Sequence, residues 1–213
     1  AVSLVPAAGG APIAVTAATT GEDLVEVTAA APIPPGDYRL RVDFRNDYGS
    51  RAVGLHHVTT GGKHYLFTDF EPAHAREAFP CFDEPSFKIP WRLELTVPAG
   101  LVAATNAPVE STRPAAESGW ETVTFAATPP LSTYLVALAV GPFDVVDVPG
   151  TSVPTRILAV AGQGELAAMA RETTAPLLTA LERWFGQRCP YAKLDLVAVP
   201  EYASRAMGDP GLI

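Results

Sequence analysis

Apolar and polar residues alternate with a period of two through the first two thirds of the chain, and that rhythm commits it to half-buried strands. From Asp37 to Phe44, the residues Tyr38, Leu40, Val42 and Phe44 share one face, while Arg39, Arg41 and Asp43 share the other. Trp91 to Val97 repeats the pattern, with Trp91, Leu93, Leu95 and Val97 expected inside. Further strands are expected at Asp23 to Thr28, Lys63 to Thr68, Glu121 to Ala126 and Phe143 to Val148. The nearly unbroken apolar run from Leu131 to Val140 fits a strand covered on both faces. Pro34-Pro35-Gly36, Gly61-Gly62, Pro98-Ala99-Gly100 and Pro129-Pro130 supply the turns between them. The 21 prolines among 213 residues also disfavour a helical bundle, because proline removes a backbone donor and fixes φ. The expectation is a mainly β fold whose first part is an antiparallel β-sandwich.

The rhythm then changes. Between Gly164 and Gly186, Leu166, Met169, Leu177, Leu178, Leu181, Trp184 and Phe185 recur at helical spacing. Pro176 should kink this helix or begin a second segment, and Gly186 is placed to cap its C-terminus. Lys193 to Val199 reads as a strand, followed by the turn Gly208-Asp209-Pro210-Gly211. A boundary near Pro149-Gly150 would divide the chain into residues 1–149 and the start of a second, α+β unit at residues 150–213, which is incomplete in this reading.

Composition narrows the partners. A content of 48% hydrophobic and 18% charged residues belongs to a soluble globular protein. The net charge of −8, without any cluster of lysine or arginine, disfavours nucleic acid and anionic membranes and favours a cationic ligand at long range. No apolar run approaches the roughly 20 residues of a membrane span. The start at Ala1, without a leader pattern, implies a trimmed or processed beginning and leaves the compartment open between cytoplasmic and exported. Cys81 and Cys189 could pair or remain free thiols. His56, His57, His64 and His74 lack the helical spacing of metal ligands, and neither an H-E-x-x-H nor a G-x-S-x-G motif occurs.

The most specific stretch is Thr68-Asp-Phe-Glu-Pro-Ala-His-Ala-Arg-Glu-Ala-Phe-Pro-Cys-Phe-Asp-Glu-Pro85. It resembles the T-Q-x-E-P-x-x-A-R-x-x-F-P-C-x-D-E-P segment of the M1 family of zinc aminopeptidases. Pro190-Tyr191-Ala192-Lys193-Leu194-Asp195-Leu196-Val197 resembles the family's P-Y-P-x-x-K-x-D-x-V, and the resemblance runs from about Asp37 to Ile213, with Ala1 to Ala31 matching only loosely. It implies a β-domain followed by the start of a thermolysin-like catalytic domain. In such an enzyme zinc polarises the scissile carbonyl and activates water, with a glutamate as general base. The zinc ligands are then expected beyond Ile213, so this segment alone should bind no catalytic zinc and be inactive.

The resemblance assigns Glu71 to the α-ammonium of a peptide with a free N-terminus, although a carboxylate before a short helix could instead serve as a cap. Asp69 stands where the family has glutamine. Asp83 and Glu84, with Arg76, read as loop-fixing groups rather than a catalytic acid pair. Arg205 to Gly211 aligns with the family's G-x-M-E-N strand, so that Ala206 and Met207 would run along the substrate backbone. Gly208 replaces the second ammonium-binding glutamate, leaving Asp209 as its only local substitute. The partners implied are a peptide substrate and the rest of the catalytic domain. A non-catalytic peptide-binding or scaffolding module derived from the same fold is the alternative.

Overall fold

The computed structural model describes residues 1–21, 23–200 and 206–213. Its strands are β1 (Val2–Pro6), β2 (Val15–Thr20), β3 (Leu24–Ala29), β4 (Tyr38–Val42), β5 (Gly54–Thr60), β6 (Lys63–Asp69) and β7 (Glu94–Pro98). They continue as β8 (Val102–Thr105), β9 (Val109–Pro114), β10 (Trp120–Phe125), β11 (Leu138–Gly141), β12 (Asp144–Asp147), β13 (Thr155–Ala159) and β14 (Leu194–Val197). Helix α1 (Ala168–Phe185) lies between β13 and β14. The chain is mainly β, as its alternation requires.

Two-faced burial organises the layers. The central sheet has the order β5-β6-β11-β8, all antiparallel. Successive side chains of a strand point to opposite faces. Tyr65, Phe67, Ala104 and Ala139 therefore pack with Phe143, Leu158, Val160 and Leu212 on one side. Leu66, Ala103 and Val140 pack on the other with Val97, Val123 and Phe125 of the sheet β7-β10-β9. Each large side chain so buried contributes about 1.5–3 kcal/mol.

Several expectations change in detail. The apolar run before Val140 is a strand only at β11, because Thr133–Leu135 forms a single helical turn and Leu131 bridges Ile89 instead. The strand expected from Trp91 begins later, at β7, since the Trp91 amide donates to Thr128 Oγ1 and its indole to the Leu131 carbonyl. Among the described residues, strand β4 pairs only with β1, and Leu40 and Phe44, expected inside, are exposed.

The helix forms where the periodicity places it, but most of its large apolar side chains do not face the protein. Met169, Leu177, Leu181 and Phe185 are exposed, and Trp184 is 84% exposed. The small face docks instead: Ala170 joins Ala167, Val148, Ile157 and Leu196. Arg171 donates to the Asp147 carbonyl, and Ser152 to Glu182. Pro176 sits inside a single continuous helix and does not split it. Gly186 caps the end at φ 64°, as expected of a left-handed C-terminal residue.

The last described segment is threaded between the layers. The Asp195 amide donates to Gly211, Ile213 donates to Asp195, and Val197 donates to Ile213, at 2.7–3.0 Å. These bonds add a short parallel partner to β14. Asn106 Nδ2 donates to Pro210, and Lys193 Nζ donates to Gly211 at 2.7 Å. Gly211 itself has φ +76°, and a Cβ there would collide with the Asn106 carbonyl. Gly211→Ala should therefore lower stability by about 2–4 kcal/mol in urea unfolding, from left-handed strain plus overpacking. Gly208→Ala is the control: it has ordinary φ and no neighbour within 4 Å, and should stay near wild type.

Candidate functional site

The end of β6 delivers the first acidic side chains. Thr68 is pinned to β11, its hydroxyl accepting the Leu138 amide at 2.9 Å. Phe70 is buried among Ala75, Ala78 and Val136 and meets Phe79 edge-on at 5.7 Å. With Phe70 turned inward, Glu71 emerges exposed and Asp69 half-buried. The helix expected after Glu71 shrinks to one turn, Ala75–Glu77, with no side-chain cap. The reason is competition: the Arg76 amide donates to Asp83 Oδ2 rather than continuing a helical ladder. Glu71 is therefore not the helix cap.

Asp83 holds this loop as a structural carboxylate. Arg76 Nε donates to it at 3.0 Å, and the Thr133 hydroxyl donates to its other oxygen. Burial acts to raise the Asp83 carboxyl, but these bonds from Thr133 and Arg76 outweigh it and hold it below the usual range. Cys81 and Cys189 are free thiols, and burial, then the Asp83 charge, pushes Cys81 up to about 11.

A second acidic element comes from the C-terminal turn. Asp209 is 3% exposed, held by the Asn106, Lys193 and β14 contacts to Pro210, Gly211 and Ile213. Lys193 is itself fixed by Asp195 at 2.8 Å, and Arg156 grips the same carboxylate at 2.8 and 3.0 Å. Ala206 and Met207, expected on a strand, lie in irregular chain because the pairing with β14 falls further on, at 211–213. Arg205 lies outside the described residues. Gly208 is exposed, with open space where a side chain would stand.

These elements meet at a cavity of about 780 Å³ between the central sheet and the sheet β12-β13-β14. Its wall is largely apolar, with Phe67, Leu138, Ile157, Leu196 and Met207, and among the described residues it carries two ionisable side chains, His56 and Asp209. Burial, then the charges of Glu71 and Asp69, pushes the Asp209 carboxyl up to about 7. The charges of Glu71 and Asp69 thus act on Asp209, although they come from the end of β6 and it from a turn far along the chain. Three interacting carboxylates beside an apolar chamber suit an organic cation with an apolar arm.

His56 is the residue that sequence reading passed over as an ordinary strand histidine. It is 1% exposed and pairs across the sheet with Phe67. Counting outward from the Gly61-Gly62 turn sets that register, which was the available signal. His57 and His64 bond to each other at 2.9 Å, and His74 bonds to Glu77 at 2.8 Å. Among the described residues no group of three His, Cys, Asp or Glu side chains could hold a metal.

The raised Asp209 carboxyl has a signed consequence for stability. Its folded value of about 7 exceeds the ordinary 3.8, so the folded state holds this proton more tightly. The unfavourable contribution is absent below the ordinary value, grows as pH rises, and is complete above about 7. Asp209→Asn should unfold at higher urea than wild type at about pH 8, with the gap closing towards about pH 5. A gap independent of pH would contradict this.

The Peptidase M1 N-terminal domain family matches residues 2–135, which includes the N-terminal stretch expected to match only loosely. Aminopeptidase M1-A of Oryza sativa subsp. japonica is 35% identical over 188 residues, 85% of this chain and 21% of the relative. Aminopeptidase A of Gloydius brevicauda is 32% identical over 197 residues, 90% of this chain and 20% of the relative. Puromycin-sensitive aminopeptidase of Caenorhabditis elegans is 37% identical over 147 residues, 68% of this chain and 16% of the relative. The chain spans about a fifth of the length of these curated relatives. Sequence segment, β-rich architecture and family match together place the chain in the M1 peptidase family, with its residues 2–135 forming the N-terminal domain.

Proposed function

We propose that this chain is the N-terminal portion of a zinc-dependent M1 aminopeptidase, and that its acidic cavity receives the first residue of a peptide. The observation that carries the reading is the electrostatic convergence of Asp69, Glu71 and Asp209 beside an apolar chamber. Glu71, exposed at the end of the pinned strand, accepts a hydrogen bond from the substrate's α-ammonium. Asp209 supplies a second carboxylate in place of the side chain that Gly208 lacks, and Asp69 adds to the attraction. A charge-assisted hydrogen bond of this kind contributes about 1.5–3 kcal/mol. Ala206 and Met207 flank the substrate backbone, and the apolar wall accepts its first side chain. The net charge of −8 draws the cationic terminus inward.

The described residues do not fit zinc, so no step here runs through it. Zinc and the general base belong to the rest of the catalytic domain, and the segment alone is inactive. The open apolar stripe of Leu177, Leu181, Trp184 and Phe185 suits packing by that remainder. The division proposed between residues 1–149 and 150–213 falls in the connection from β12 to β13, strands of one sheet. Among the described residues no helix is long and apolar enough to cross a membrane.

The empty position at Gly208 favours a second reading, a peptide-binding or scaffolding protein that has lost an enzyme's anchor. Kinetics on the full-length protein separate the two. In the enzymatic reading, Glu71→Gln lowers kcat/KM for a leucine anilide by about 10–100-fold. A Cβ at Gly208 meets none of the described residues within 4 Å, and Gly208→Glu should sharpen discrimination against the N-acetylated anilide. Zinc-loaded protein that binds peptide without cleaving it would favour the scaffold, and an unchanged preference in Gly208→Glu would remove Gly208 from the specificity argument.

A further inference from the structure

Among the described residues, two buried side-chain polar atoms lack a hydrogen-bond partner: His56 Nε2 and Asp209 Oδ2. Both side chains stand on the wall of the same cavity. They reach it from different parts of the chain, His56 on β5 and Asp209 in the C-terminal turn. Neither atom is open to water in the free structure, and the cavity is the space that the two residues share. Buried polar groups without partners are unfavourable and mark places where a bound group completes the bonding.

The chemistry of that group follows from the two atoms. His56 Nδ1 lies 3.5 Å from the Gly54 carbonyl, which can only accept, and the tautomer that donates to it carries the ring proton on Nδ1. Nε2 is then a lone pair. Burial lowers the ring's pKa against the opposing pulls of the Gly54 carbonyl and the Asp69 charge, so the imidazole is neutral at neutral pH. Among the described residues, the charges bearing on this region come from acids: Asp69 acts on His56, while Asp69 and Glu71 act on Asp209. Both orphan atoms are thus acceptors, Asp209 in its ionised form, and a head with several N–H donors has the chemistry to serve both.

We propose that His56 is a further ligand-binding residue, its Nε2 accepting one N–H of a bound primary ammonium whose other protons go to the carboxylates. This rests on the amine-binding reading above and adds a neutral acceptor to it. A neutral imidazole orients the head without adding to the mutual repulsion of three acids. It also selects primary over tertiary ammonium, because a tertiary head has one N–H and cannot serve the imidazole and a carboxylate together.

The test is calorimetric titration of the full-length protein with leucinamide and with 4-methylpentanamide, the same molecule without its amine. Wild type should bind leucinamide more tightly. His56→Phe should weaken leucinamide by about tenfold or more and leave 4-methylpentanamide unchanged. His56→Gln, whose amide oxygen is an acceptor, should recover most of the loss, and it keeps the test open should His56→Phe fail to fold. If wild type discriminates and both variants discriminate equally well, a water molecule satisfies Nε2 and the His56 assignment is overturned while the amine site stands. If wild type does not prefer leucinamide, the amine site and the His56 assignment fall together.

Discussion

Burial of β6 on both faces is the constraint from which the remaining geometry follows. Tyr65 and Phe67 enter one core and Leu66 the other, so the strand cannot slip by a residue without exchanging the two sets. That fixed register carries Thr68, Asp69, Phe70 and Glu71 to a defined exit. Phe70 is drawn into a third cluster with Ala75 and Ala78, which turns the chain and leaves Glu71 outside. The position of one exposed glutamate is thereby set by apolar packing on either side of it.

The acidic partner is positioned by a different kind of force. Asp195 is almost fully buried, and such a carboxylate is tolerated only with counter-charges and hydrogen bonds around it. Arg156 and Lys193 provide them, and Lys193 spends a further donor on the Gly211 carbonyl. The ion cluster therefore anchors the turn that carries Asp209. Placing Asp209 away from water among other acids is unfavourable on its own account, and its raised pKa expresses that strain. In the proposed reading, a bound ammonium group relieves that cost.

Gly208 and the exposed helix stripe show what the fold leaves incomplete. Beside Gly208 there is open space, and along α1 large apolar side chains face outward. Both features sit at the later part of the chain, where the short β12-β13-β14 sheet replaces the two-faced packing of the earlier layers.

Much of this was legible in the order of residues. Alternation located β3, β6, β10, β12 and β14, helical spacing located α1, and the Thr68 to Pro85 motif identified the family before any geometry. Those signals are local, or repeat locally, and need no knowledge of what lies opposite. Tertiary structure decided which faces were covered: Leu40 and Trp184 carry the right pattern yet stay exposed, because pattern records amphipathy and not the presence of a partner surface. It also decided that the charges of Glu71 and Asp69 act on Asp209 across more than a hundred residues of chain, and that His56 and Asp209 stand on the same cavity wall. Electrostatic coupling and burial depend on distances through space, and the sequence alone sets those only through the packing of every layer at once.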